Sequence, residues 1–253
     1  MKTVIAGIMP GSWKLERSKR MSNRTGIKRW LARTILGGIV AALLLGAWGG
    51  LVPLEAGSGP YPKLFGTREI NSHNLKAFPK WRGMLKRYFK TDQIPEGSCD
   101  ARIFNQCHLK KWQAFLDSTR DLSATSRRQQ IGKVNRYLNS IRYITDIRNW
   151  NKEDYWATPQ QFFIHDGDCE DYAISKYMSL RALGYTVEEL RIVVVEDLNL
   201  NVGHAILVVY LGGEGYILDN QIRRVVEHST IRHYKPYYSM NEESWWLHKG
   251  FRG

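Results

Sequence analysis

Cysteine is scarce in this chain: three occur in 253 residues, at positions 99, 107 and 169. Three thiols cannot build the dense disulfide framework of a small secreted scaffold, and an odd number leaves one unpaired. Long apolar runs are scarce as well. The stretch Ile35–Trp48 (ILGGIVAALLLGAW) is apolar, but a typical spanning helix needs about 20 such residues. No internal repeat or low-complexity segment is present, which excludes solenoid and fibrous architectures. Acids are outnumbered, 24 against 37 Lys and Arg, for a net charge of +13. Nine of those basic residues fall within residues 1–33, against the single acid Glu16. The rest of the chain is only mildly basic, so a nucleic-acid binder is disfavoured.

What is present suits a packed protein: 43% hydrophobic and 12% aromatic residues, enough for one well-buried domain of about 200 residues. The basic leader, the apolar run and the small residues Gly46, Ala47, Gly49 and Gly50 follow the order of a signal peptide. An uncleaved inner-membrane anchor is the alternative. Residues 1–50 are therefore read as the leader, 51–75 as a linker and 76–253 as the folded domain. Cys99 and Cys107, close together in EGSCDARIFNQCH, could form a disulfide after export, leaving Cys169 as a candidate reactive thiol.

Helical periodicity begins near Lys76. Trp81, Leu85 and Tyr88 share one face, Leu109, Trp112, Phe115 and Leu116 another, and Ile131, Val134, Leu138 and Ile141 a third. A turn-rich stretch (RNWNKEDYWATP) precedes a fourth helix over Cys169–Leu183, with Asp166 and Asp168 at its start and Gly184 as its stop. Beyond Gly184 the pattern changes to β-rich runs, Leu190–Val195, Ala205–Tyr210 and Gly215–Leu218. Helices followed by an antiparallel sheet make an α+β domain. For the aromatic tail Tyr234–Trp246, core packing is favoured over a cleft wall.

A cysteine at a helix N-terminus meets unpaired amides and the positive end of the helix dipole, both of which favour a thiolate. Cys169 sits there. Its base must come from elsewhere in the chain, with a third group to orient that base. If Gly212 and Gly213 form a two-residue turn, His204 at the start of one strand lies diagonal to Asp219 at the end of its partner, within reach of a hydrogen bond. The Cys169 backbone amide is the expected oxyanion donor. Four carboxylates, Asp166, Asp168, Glu170 and Asp171, crowd the cysteine and would disfavour its thiolate. A bound cation would relieve this, and clustered hard oxygen ligands suit Ca²⁺, although the spacing is not that of an EF-hand.

The blocks DYWATPQQFFIHDGDCEDYAISKYMSLRALG (154–184), LRIVVVED (190–197), GHAILVV (203–209) and LDNQ (218–221) resemble the bacterial transglutaminase-like cysteine proteinases, and among them the LapG-type periplasmic proteinases. The likeness extends more loosely over most of 76–246. It implies a papain-like, transglutaminase-like core, with a helical N-terminal half and the nucleophile at a helix start packed on an antiparallel sheet. It implies a triad of Cys169, His204 and Asp219, and Ca²⁺ dependence through Asp166, Asp168, Glu170 and Asp171. It further implies a periplasmic endopeptidase that cuts a large biofilm adhesin near its N-terminus, held in check by an inner-membrane cyclic di-GMP receptor. Nucleic acid is not an expected partner, and a membrane is one only through an uncleaved leader. A transglutaminase-type acyl transferase and a non-catalytic periplasmic binding module are the alternatives.

Overall fold

The computed structural model describes residues 61–90, 108–120 and 127–252. The leader and the cysteines at positions 99 and 107 lie outside those residues. Seven strands form one sheet: β1 (Arg68–Ser72), β2 (Leu190–Asp197), β3 (Val202–Leu211), β4 (Glu214–Leu218), β5 (Val226–Glu227), β6 (Tyr234–Met240) and β7 (Trp245–Lys249). Their spatial order is β1-β7-β6-β2-β3-β4-β5, and every neighbouring pair is antiparallel.

The centre of this sheet is covered on both faces, which is why β2 and β3 read as continuous apolar runs. Leu190, Ile192, Ala205, Leu207 and Val209 contribute to the core shared with the helices. Val193, Val195, Ile206, Val208 and Tyr210 contribute to a second core with Leu64, Phe65 and Tyr234. The β3–β4 turn has the expected geometry. Gly212 and Gly213 have φ of 60° and 87°, the left-handed pair that a two-residue hairpin turn requires. This sets Leu207 opposite Leu218.

The helices are α1 (Pro79–Lys90), α2 (His108–Arg120), α3 (Arg127–Leu138), α4 (Asp146–Trp150), α5 (Pro159–His165) and α6 (Cys169–Ala182). Every residue of α6 from Glu170 to Leu180 is buried, so this helix is the centrepiece around which the others pack. It ends as the sequence predicts. Gly184, at φ 92°, follows the cap, and its amide and that of Tyr185 return to the carbonyls of Arg181 and Leu180.

Several segments differ from the expectations above. The turn-rich stretch takes in the end of α4 and runs on to α5, which Pro159 opens. Thr158 and Gln161 cap it reciprocally. Ile141 lies beyond the end of α3 and stays buried through a tight turn. Within the expected linker 51–75, Leu64 and Phe65 are core residues and β1 pairs with β7. The aromatic tail forms β6 and β7, with a register shift opposite Val194 and Val195 that accommodates Pro236. Among the described residues no helix is long and apolar enough to cross a membrane.

Candidate active site and acidic cluster

Three separate pieces of chain converge at the start of α6. The first is the turn Asp166-Gly167-Asp168 between α5 and α6. Asp166 has φ 65°, a left-handed conformation unusual outside glycine. Gly167 has no room for a side chain, since a Cβ there would lie 2.3 Å from Asp171 Oδ2. The turn thus brings α6 against its own preceding loop, with Cys169 as the first residue of the helix.

The second piece is the start of β3. His204 is buried, and its Nε2 lies 2.9 Å from Asp219 Oδ1. Asp219, also buried, accepts two further hydrogen bonds: Tyr234 O–H at 2.6 Å on Oδ2 and the Gln221 amide at 2.9 Å on Oδ1. Burial alone would raise the Asp219 pKa, but the donors led by His204 outweigh it and hold the carboxyl below its usual range. Tyr234 responds oppositely: burial and the Asp219 charge push its phenol up. Asn139, just past α3, fixes the loop by donating to the Asp219 carbonyl at 2.7 Å.

Cys169 stands between these two pieces. Its Sγ is 3.1 Å from Glu170 Oε2. Burial, followed by the charges of Glu170 and Asp168, pushes the thiol well above its ordinary range, while the backbone amide of Ala205, next to His204, acts in the opposite direction. The surrounding acids are perturbed in turn. Burial foremost, then the charge of Asp168, raises Glu170 to about 9. Asp168 is also raised, chiefly by burial, and Asp171 goes well above the usual carboxylate value. So many buried acids in contact cannot all ionise without compensating positive charge.

The third piece supplies two acids that sequence spacing did not reveal. The segment before α4 is joined to the DGD turn by a parallel bridge between Tyr143 and Gly167 and by the Ile144 amide on the Gly167 carbonyl. This brings Asp146, raised to about 6 chiefly by burial, into the site. Carboxylate oxygens of Asp146, Asp168 and Asp171 lie within 4.8 Å of one another, as do those of Asp146, Asp154 and Glu170. In the first group each acid ties one oxygen to a backbone amide: Asp146 to Tyr155, Asp168 to Asp146 and Asp171 to Ala157. The other oxygen of each is buried without a partner. Three orphaned carboxylate oxygens around one point form a fitting site for a hard divalent cation. Asp168 makes no side-chain cap to its own helix. Asp166 is not part of either group. Its Oδ2 is paired with Arg142 at 2.9 Å, so of the four acids expected to bind metal, Asp168, Glu170 and Asp171 are brought together with Asp146 and Asp154.

The family of bacterial transglutaminase-like cysteine proteinases matches residues 99–249. Among solved structures, Legionella pneumophila LapG is 34% identical, over 56% of this chain and 79% of that one, with a TM-score of 0.51. Its calcium-bound form is 31% identical, over 66% of this chain and 86% of that one, with a TM-score of 0.52. No curated protein matches this chain.

Proposed function

The chain belongs to the bacterial transglutaminase-like cysteine proteinases, and from that membership we propose that it is a calcium-dependent endopeptidase working through Cys169, His204 and Asp219. The observation that carries this reading is the placing of the three residues. A buried Asp219 holds His204 at Nε2 on β3, and Cys169 opens α6, the helix packed against that strand.

With Nε2 engaged by Asp219, Nδ1 is the nitrogen left to take the proton of Cys169. The thiolate then attacks the scissile carbonyl carbon. The resulting imidazolium gives its proton to the departing amine as the C–N bond breaks, leaving a thioester. Water, deprotonated by His204, adds to the thioester. The C–S bond breaks, and the thiol recovers its proton. Asp219 keeps the imidazole in the required tautomer and stabilises its charged form. The amide of Cys169, at the first position of α6, is the oxyanion donor.

Asp146, Asp168 and Asp171, with Glu170 and Asp154 adjoining, would hold the cation. When bound, Ca²⁺ would neutralise the acids that otherwise raise the thiol's pKa. The relative solved with calcium supports this reading.

We further propose that the enzyme acts in the periplasm on the N-terminal region of a large surface adhesin, under an inner-membrane cyclic di-GMP receptor. The resemblance of 154–221 to the LapG-type proteinases supports that assignment. The test is incubation of the purified chain with the N-terminal region of the host's own large adhesin, in calcium or in EGTA, followed by product masses. Calcium-dependent cleavage is expected. Incorporation of an added primary amine instead of water would identify an acyl transferase, and an intact substrate in calcium would contradict the proposal.

A further inference from the structure

A cavity of about 260 Å³ opens between Phe65–Gly66, the short helical turn at His228–Thr230 and Phe251–Arg252. None of the residues lining it belongs to the triad or to the acidic cluster. Its apolar wall comes from Phe65, a member of the second core, with Ile231 and Phe251 packed against that core. An engineered apolar cavity of about 150 Å³ takes up benzene, so there is room here for a ring or a short aliphatic group. The polar side chains around it are Arg232, Arg252, Ser229 and His228, and no carboxylate lines it. An apolar wall with a few converging polar groups is the usual make-up of a small-molecule site.

The two guanidiniums are the unusual part. Like charges that share one cavity repel, and a carboxylate between them would ordinarily relieve this. Arg232 and Arg252 are both exposed, and among the described residues neither makes an ion pair. Their charge is therefore not spent within the protein. His228 adds a fixed donor. The Phe65 amide donates to its Nδ1 at 3.1 Å, which puts the proton of the neutral ring on Nε2. Burial lowers the pKa of this ring and keeps it neutral. The residue is only 6% exposed, yet Nε2 has no acceptor among the described residues and is not sealed from solvent. Since His228 lines the cavity, that N–H opens into it.

We propose that this cavity binds a small phosphate monoester, with the phosphate held by Arg232, Arg252, His228 and Ser229 and its apolar group against Phe65, Ile231 and Phe251. Phosphate suits the site better than carboxylate, because its three terminal oxygens match the several donors and each guanidinium can engage two of them.

The test is calorimetry on the full chain in EGTA, so that no cation in the acidic cluster competes for the phosphate, with four probes: phenyl phosphate, benzoate, inorganic phosphate and benzyl alcohol. Phenyl phosphate should bind at least about tenfold more tightly than inorganic phosphate, which lacks the ring, or benzyl alcohol, which lacks the charge. Benzoate should be weaker than phenyl phosphate. Arg232→Gln with Arg252→Gln should lower the affinity for phenyl phosphate by more than about tenfold while the unliganded variant melts with wild type, because both side chains are exposed. Should the double variant not fold, each single variant is read against a loss of more than about threefold. In an NMR titration the imidazole resonances of His228 should shift as phenyl phosphate binds. No binding of millimolar phenyl phosphate, equal affinity for inorganic phosphate, tighter binding of benzoate, unmoved His228 resonances or affinity retained without the arginines would each overturn the proposal.

Discussion

Tyr234 donates its hydroxyl to Asp219 Oδ2 at 2.6 Å, so the acid that orients His204 is itself oriented from β6. The aromatic tail therefore reaches the active site through one phenol. Removing that donor leaves the carboxylate held by His204 and Gln221 alone. A hydrogen bond to a charged acceptor is worth about 1.5 kcal/mol at the lower end of its range. Tyr234→Phe should lower kcat/KM by about tenfold. The lost donor also lets the depressed Asp219 pKa rise toward its ordinary value, so the acid limb of the kcat/KM profile should move to higher pH. A pH–rate profile of the variant checks both, and unchanged kinetics would remove Tyr234 from the site.

Removal of His204 should be nearly as damaging as removal of Cys169, because nucleophile and base act as a unit. Asp219→Asn should leave measurable residual activity, since the orienting group contributes less. The check is a ranking of kcat among the three folded variants. Near-wild-type turnover in His204→Ala would require another base.

Chelation should silence the enzyme reversibly, and Ca²⁺ should restore it better than Mg²⁺, which demands a tight octahedron and retains its water. Stability gives an independent readout. Asp146 and Glu170 are raised to about 6 and about 9, so in the chelated protein these acids hold protons that the unfolded chain has released. Their contribution then turns increasingly unfavourable as pH rises from about 4.5 toward 9. Calcium binds the deprotonated acids and displaces those protons. The melting-temperature difference between calcium and EGTA should therefore grow from pH 5 to pH 8. A constant difference would place the ion away from these acids.

Asp146 and Asp166 make a matched pair of tests. Asp146→Asn removes a carboxylate with an orphaned oxygen from the cluster and should weaken calcium binding more than about tenfold by calorimetry. Asp166→Asn alters a carboxylate that lies in neither group and is paired with Arg142, and should change that affinity by less than about threefold. The reverse ranking would refute the assignment of the cluster.

The parts of this architecture legible in the sequence are those set by local chemistry. Gly212 and Gly213 dictate the turn and hence the Leu207–Leu218 register, and that register brings His204 to Asp219. Gly184 marks the end of α6 because only a residue tolerant of positive φ closes the helix there. Asp146 was hidden. It reaches the site through one parallel bridge, Tyr143 to Gly167, between segments that share no periodicity. Pro159 closed a stretch read as turn-rich, yet proline is a favourable first helical residue when Thr158 and Gln161 cap around it. β1 and the β6–β7 pair were missed for a further reason. Edge and aromatic strands owe their pairing to tertiary packing more than to their own alternation.

The most direct measurement of the central assignment is cleavage of the adhesin N-terminal region by wild type and by Cys169→Ala, side by side in calcium, with products identified by mass and folding verified by circular dichroism. Replacing one small, half-buried side chain at a helix start should preserve the fold. Cleavage by wild type and none by the folded variant is the predicted result. Cleavage by the folded Cys169→Ala protein would contradict the account, because its nucleophile would then have to lie elsewhere.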